Sequence, residues 1–352
     1  MSLLEVRDLE VAFHTADGIV RAVDGVSFTV DAGQTLAVVG ESGSGKSVTA
    51  LTLLGLNRGA DVAGTVLFDG VDLLAMDDEA MRAVRGNQIA MVFQDPLSSL
   101  HPMYRVGWQI EEAILAHRDV PRRQARARAV ELLDLVGIPE PQRRVDDYPH
   151  QFSGGMRQRA MIAMALALDP RLLIADEPTT ALDATVQAQI LDLIRRLQSD
   201  FRTALIIITH DLGIVADLSD EVIVMYAGRV VERADRRTLY YHPHHPYAVG
   251  LLRSVPASVS RAERLEPIPG QPPSLIRLPS GCRFHPRCEF VMDRCVDHDP
   301  PELRVLGGLH HGSACWLPGE MVGTDDDTNR RRSVYAGAHR QTLVSSGSED
   351  AP

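Results

Sequence analysis

Gln34-Thr35-Leu36-Ala37-Val38-Val39 runs without a break into Gly40-Glu41-Ser42-Gly43-Ser44-Gly45-Lys46-Ser47. The stretch that follows, residues 47–56, carries Val48, Leu51, Leu53 and Leu54 before Gly55. An apolar run, a glycine-rich loop and a helical pattern in succession predict a buried strand, a tight turn and a helix N-terminus. That succession brings amide donors and a helix dipole onto one anion site. The loop fits G-x-x-x-x-G-K-[ST], whose N–H groups cradle nucleotide phosphates. Lys46 would reach the β- and γ-phosphates, and the Ser47 hydroxyl would ligate Mg²⁺. Of 36 basic residues Lys46 is the only lysine. Arginine serves everywhere else, so this position demands a compact ammonium that a planar fork cannot replace. A chance match in a glycine-rich turn would lack the flanking strand and helix.

Charge and hydropathy then exclude whole classes. With 36 basic against 47 acidic residues the formal net charge is −11, which argues against a nucleic-acid partner. Arg122, Arg123, Arg126 and Arg128 form a local basic cluster that reads as a solvated helix face. Residues 1–10 carry Glu5, Asp8 and Glu10 and have too little apolar length for a signal peptide. No uncharged apolar stretch is long enough to cross a bilayer, so the expected location is the cytoplasm, with reduced cysteines unless a metal holds them.

Two further segments complete the chemistry. Arg171-Leu172-Leu173-Ile174-Ala175-Asp176-Glu177-Pro178 reads as a second buried strand ending in two carboxylates. Asp176 at the end of a parallel strand would hold Mg²⁺, and Glu177 would orient and polarise the attacking water. A plain polar strand terminus leading into a turn would look similar without the upstream loop. Between them lies Gln151-Phe152-Ser153-Gly154-Gly155-Met156-Arg157-Gln158-Arg159, followed by a helical stretch over 160–168. A serine and two glycines at a helix start make a second anion site. Two such sites in one chain make sense if the second serves a nucleotide held by a partner.

In order along the chain, the loop 40–47, Gln94 in Val92-Phe93-Gln94-Asp95-Pro96, Ser153-Gly154-Gly155-Met156-Arg157-Gln158, the strand 173–177, Ala181-Leu182-Asp183 and His210 resemble the motifs of the ATP-binding cassette ATPases. No single one of these is specific; six in order over residues 3–235 are. The resemblance implies an α/β cassette: a RecA-like mixed sheet with an antiparallel part, a helical insertion and a small cysteine-containing extension. It implies ATP held by Gly40, Ser42, Gly43, Ser44, Gly45, Lys46, Ser47, Asp176 and Asp183, with Ser153, Gly154 and Gly155 engaging nucleotide across a cassette pair. It further implies Glu177, His210 and Gln94 for catalysis, and Ser47, Gln94 and Asp176 around Mg²⁺. Met156-Arg157 departs from the glutamine common after the signature glycines. Phe13 matches the adenine-stacking aromatic, although an ordinary strand core residue would look the same.

Gln94-Asp95-Pro96-Leu97-Ser98-Ser99-Leu100-His101-Pro102 and Val106-Gly107-Trp108-Gln109-Ile110 narrow the resemblance to oligopeptide, dipeptide and nickel importer ATPases, which usually have asparagine in place of His101. His242-Pro243-His244-His245-Pro246-Tyr247 and Gly250-Leu251-Leu252-Arg253-Ser254-Val255-Pro256 resemble the C-terminal extension of that group. The histidines, stiffened by prolines, read as surface turn residues rather than a metal site. The implied organisation is a cassette over 3–235 with a helical insertion at 96–164, an extension at 236–318 entered through the proline-rich run 267–273, and a disordered tail at 319–352.

All four cysteines, Cys282, Cys288, Cys295 and Cys315, fall in the extension. Their spacing is not the paired C-x2-C of a zinc ribbon. Four thiols so clustered still invite a soft metal, either an iron–sulfur cluster or zinc, with four free buried cysteines as the plain alternative. Similar extensions in dipeptide importer ATPases are taken to hold a [4Fe–4S] cluster, and the resemblance favours that over Zn²⁺.

The implied function is ATP hydrolysis that powers peptide import at the cytoplasmic face of the cell membrane. Its partners would be two transmembrane permease subunits, a second related ATPase chain and an extracytoplasmic solute-binding protein. Nickel or another small solute is the alternative cargo. A soluble cassette ATPase acting on DNA or ribosomes is the runner-up class, but it would usually carry two cassettes or a long coiled-coil insertion. An exporter would often fuse the cassette to membrane helices.

Overall fold

The computed structural model describes residues 2–180, 182–254, 267–306 and 311–317. The expected tail at 319–352 lies outside the described residues. Twelve strands are described: β1 Leu4–Thr15, β2 Gly18–Val30, β3 Thr35–Val39, β4 Ala60–Phe68, β5 Val71–Asp72, β6 Ile89–Val92, β7 Leu172–Asp176, β8 Ala204–Thr209, β9 Glu221–Tyr226, β10 Arg229–Asp235, β11 Arg304–Val305 and β12 Gly312–Ser313. The helices are α1 Lys46–Leu53, α2 Asp78–Val84, α3 Pro96–Ser99, α4 Val106–Leu115, α5 Arg122–Leu135, α6 Pro141–Arg144, α7 Gly154–Ala165, α8 Ala184–Phe201, α9 Leu212–Leu218, α10 Arg236–Tyr241, α11 Pro246–Arg253 and α12 Asp293–Asp297.

β3 and β7, the strands expected from their apolar runs, lie inside an eight-stranded sheet of order β11-β12-β10-β9-β3-β8-β7-β6. The pairs from β9 through β3, β8 and β7 to β6 are parallel, and β9 to β10 and onward are antiparallel. Every residue of β3, β7 and β8 is buried, so their sequences lack polar alternation yet still split by face. Leu36, Val38, Leu172, Ile174, Ile206 and Ile208 enter one core. Ala37, Val39, Leu173, Ala175, Leu205 and Ile207 enter the other. A strand covered on both faces needs this doubly apolar pattern.

The first core is roofed by a second, antiparallel sheet of order β2-β1-β4-β5, which contributes Leu4, Val11, Val23, Val26, Phe28 and Val66. The other core is covered by helices. α8 buries Ile190, Leu191, Leu193, Ile194 and Leu197, the i, i+3, i+4, i+7 stripe of a packed amphipathic helix. The described residues between β6 and β7 form helices, 3-10 turns and loops but no named strand. The basic cluster of α5 behaves as a solvated face: Arg122 pairs with Glu112, Arg126 with Asp146 and Arg128 with Asp169.

The extension corrects one expectation. His244 and His245 are 2% and 1% exposed and are not surface turn residues. Their backbone amides donate to the two carboxylate oxygens of Glu232 on β10 at 2.8 and 2.7 Å. The His244 ring contacts Ser313 Oγ and the Leu317 carbonyl, both at 2.9 Å. Glu232 is wholly buried, so this net of charge-assisted bonds satisfies a group that would otherwise be costly to bury. The proline-rich run 267–273 is tied down as well: Ile268 packs onto the helical core, and the Pro269 carbonyl accepts from Arg287 Nε at 2.8 Å.

Candidate nucleotide site

The loop 40–47 turns out of β3 at the centre of the large sheet. A Cβ at Gly40 would lie 2.2 Å from the Met225 carbonyl oxygen. Gly45 has φ +102°, and a Cβ there would lie 2.4 Å from the Ala22 carbonyl. Both positions therefore exclude a side chain, by contact at the first and by contact and backbone conformation at the second. Gly45 is the N-cap of α1 and has no side chain to occupy the first amides, so those donors remain open to an anion.

Lys46 is only 5% exposed. Its Nζ donates to the carbonyls of Gly40 at 2.7 Å and Glu41 at 2.9 Å, and to Ser44 Oγ at 3.3 Å. Burial pulls its ammonium below the ordinary lysine range, while Glu177, Asp176 and Glu41 pull it back. Asp176, at the end of β7, is buried. Burial pushes its carboxyl up; the Ser47 hydroxyl and Lys46 oppose the shift. Its Oδ1 is buried with no hydrogen-bond partner. An orphaned buried carboxylate oxygen beside a hydroxyl suits a hard divalent cation, so Ser47 and Asp176 fit Mg²⁺.

Glu177 sits at φ +46°, a conformation uncommon for a non-glycine residue, and its N–H donates to the Ile208 carbonyl at 2.8 Å. Three side chains converge on its carboxylate. Gln94 Nε2 donates at 3.1 Å and the Thr180 hydroxyl at 2.8 Å, while His210 Nδ1 lies 3.2 Å from the other oxygen. Burial alone would push Glu177 up; Thr180, His210 and Lys46 hold it below the usual range. It is therefore ionised at neutral pH, suited to orienting water more than to holding a proton. Strain of this kind persists where the surroundings over-determine it, as they do in many active sites.

The structure thus gathers Lys46, Ser47, Asp176, Glu177, Gln94 and His210, from four separate stretches of sequence. The signature residues stand elsewhere. Ser153 is the N-cap of α7, its hydroxyl accepting from the Met156 amide at 3.3 Å, and Ser153 and Gly154 are exposed. The helix begins at Gly154, earlier than the stretch 160–168 suggested. Among the described residues no hydrogen bond ties Ser153, Gly154 or Gly155 to the phosphate loop. Asp183 caps α8, its carboxylate accepting from the amides of Thr185 at 3.1 Å and Val186 at 3.0 Å. Phe13 is half-buried in β1, between Val20 and Ala60.

Several partners escaped the sequence. Thr180 was visible in Glu177-Pro178-Thr179-Thr180 but carried no motif of its own. Tyr247 Oη accepts from the Glu41 amide at 2.7 Å, and Arg287 grips the Glu41 carboxylate at 2.6 and 3.0 Å. These contacts cross more than 200 residues, and no local pattern announces them.

All four cysteines line one cavity with Phe284 and Trp316, and all are unbridged. Burial pushes Cys282 up, Cys288 up to about 12 and Cys315 up to about 11. Among the described residues no group of three or more His, Cys, Asp or Glu side chains is arranged to hold a metal ion.

Residues 23–180 match the family described as ABC transporter, and residues 231–295 match the oligopeptide/dipeptide transporter C-terminal region. The chain is 50% identical over 321 residues to the oligopeptide transport ATP-binding protein OppD of Salmonella typhimurium, covering 91% of this chain and 95% of that protein. It is 48% identical over 321 residues to OppD of Haemophilus influenzae, covering 90% of this chain and 98% of that protein. A solved dimeric ATP-binding cassette in a post-hydrolysis state, bound to ADP and Pi, superposes with a TM-score of 0.61. It shares 26% identity and covers 66% of this chain and 99% of that one.

Proposed function

The chain belongs to the ABC transporter ATPases of the oligopeptide and dipeptide group, and from that premise we propose that it is the ATP-hydrolysing subunit of a peptide importer. The observation that carries this is the convergence of Gln94, Thr180 and His210 on Glu177, beside the buried Lys46 and the orphaned Asp176 oxygen. Lys46 and the open amides of α1 bind the β- and γ-phosphates. Asp176 and Ser47 would hold Mg²⁺, which neutralises charge developing on the transferring phosphoryl group. Glu177 orients the attacking water, Gln94 and His210 fix Glu177, and Phe13 stacks on adenine. The cassette spans 3–235, with the insertion at 96–164 carrying the signature, and 236–318 is the extension.

The exposed Ser153–Gly155 corner supports a head-to-tail pair in which each chain completes the other's site, with a second related ATPase as the facing cassette. No described helix is long and apolar enough to cross a membrane. Transport therefore calls for two permease chains, with this subunit docked at their cytoplasmic side, and a solute-binding protein outside. The test is reconstitution with permeases, second cassette and binding protein in vesicles. Peptide with its binding protein should raise ATP hydrolysis and drive accumulation, and Glu177→Gln should abolish both. Hydrolysis indifferent to peptide would sink the importer reading.

For Cys282, Cys288, Cys295 and Cys315 the reading is a [4Fe–4S] cluster. It is supported by their sharing one cavity, since four cysteines are the usual ligand set of such a cluster. Its contribution would be to staple the extension. Anaerobically purified protein should contain iron and labile sulfide in equal amounts. Stoichiometric zinc would replace iron, and metal-free protein with four titratable thiols would discard the site.

A further inference from the structure

Cys282-Arg283-Phe284-His285-Pro286-Arg287-Cys288 of the extension holds two buried arginines, one bonded to the phosphate loop and the other to the Asp24 and Ala227 segments beside it. Arg287 is 8% exposed. Its guanidinium makes a two-pronged pair with Glu41, the second residue of the loop, at 2.6 and 3.0 Å. It lies over the rings of Tyr226 and Phe284. Arg283 bonds to Asp24 and donates to the Ala227 carbonyl at 2.5 Å. The neighbouring Gly228 amide donates to the Ser44 carbonyl of the loop at 3.0 Å, and its carbonyl accepts from the Asp24 amide at 2.9 Å. Tyr247 of α11 accepts from the Glu41 amide. Glu41 is thus held by the extension at its amide and its carboxylate, while its carbonyl receives Lys46 Nζ at 2.9 Å.

We propose that Arg287 is a positioning residue for ATP: through Glu41, and with Tyr247, the extension sets the shape of the phosphate loop and masks a loop carboxylate that would otherwise repel the triphosphate. The proposal rests on residues 40–47 being the nucleotide site. A planar, bidentate guanidinium fixes both distance and angle, which an ammonium does not. Without Arg287 the loop would gain freedom at its second residue and expose a bare negative charge beside the phosphates. The segment bearing both arginines is bounded by Cys282 and Cys288, so whatever orders those cysteines also orders the grip on the loop.

The test is a cycle in the full-length chain, read as affinity for a fluorescent ATP analogue together with the thermal unfolding midpoint. Arg287→Ala should weaken binding about tenfold, within the ordinary range for coupling between sites. Arg287→Lys should recover part of that loss. Adding Glu41→Gln to Arg287→Ala should restore the part of the affinity lost to the unmasked charge, leaving the part lost to the freed loop. Tyr247→Phe, which removes only a hydroxyl, should cost a few-fold. A merely structural role would lower the unfolding midpoint and leave the affinity of the folded protein unchanged. If Arg287→Ala does not fold, Arg287→Lys and Tyr247→Phe decide. Wild-type affinity in both folded variants overturns the proposal, as does a double variant whose loss is the product of the single losses. Lys46→Ala serves as control: if it too binds normally, the loop is not the nucleotide site and that reading falls first.

Discussion

Among the described residues, two helix starts, those of α1 and α7, are proposed to meet an anion, and they differ in what supports them. At α1 the cap is Gly45, which has no side chain, so the first amides stay open. Lys46 beside it is buried, and the loop is braced by Met225, Ala22, Tyr247 and Arg287. At α7 the cap is Ser153, whose own hydroxyl occupies the Met156 amide, and the corner is open to solvent. One corner is braced by its own chain. On the proposed function the other is finished by a facing cassette, so that a single chain would carry one complete phosphate cradle and half of another.

Lys46→Ala should break the finished corner most severely. The only ammonium matched to the β/γ-phosphates is lost, and three loop acceptors lose their donor. Tight ATP binding should disappear in an analogue titration; unchanged affinity would mean the loop does not hold phosphate. Glu177→Gln comes next. It keeps the shape of the carboxylate and removes its charge, so ATP should still bind while turnover falls by at least ~10²-fold, the scale for a positioned proton-transfer or water-orienting group. Wild-type hydrolysis by this variant would remove Glu177 from the chemistry.

The open corner gives a smaller, conditional effect. A strictly monomeric preparation, checked by sedimentation, should be a poor ATPase, and adding the second cassette and permeases should raise its turnover. Full activity in the monomer would end the contrast between the corners, because the finished cradle would then suffice.

How legible each corner was follows from the range of the contacts that build it. β3, the loop and α1 are contiguous, and a strand covered on both faces has to be apolar throughout, so the first corner could be read directly. The approach of β7 to β3 across β8 was implied only by resemblance, yet Asp176 and Glu177 stand where a strand-end carboxylate pair should. Two histidines of the extension were misread. His244-His245 looked like an exposed turn because prolines flank them, but the acceptor that buries them is Glu232, which lies on another element. Arg287 and Glu41 are likewise joined only in three dimensions. The extension also lacks a core of its own: Phe284 packs with Tyr226 at 5.2 Å and Tyr247 at 5.4 Å between ring centroids. That shared aromatic core could not be inferred from proline-rich segments.

Asp183 supplies the smallest effect and the finest test between the corners. It follows Leu182, which faces Gly154 of the open corner, and it begins α8, whose Val186 abuts Gly155. Its carboxylate is committed to the amides of Thr185 and Val186, two donors the helix cannot satisfy internally. Asp183→Ala should therefore cost about 1 kcal/mol of stability, the usual value of such a cap, whereas Asp183→Asn should preserve the cap. Urea unfolding measures the first effect, and turnover of the assembled cassette pair measures the second. If Asp183→Asn is as stable as wild type but hydrolyses ATP more slowly, the carboxylate acts on nucleotide across the pair. If only Asp183→Ala is impaired, Asp183 serves the open corner by holding the α8 N-terminus against it.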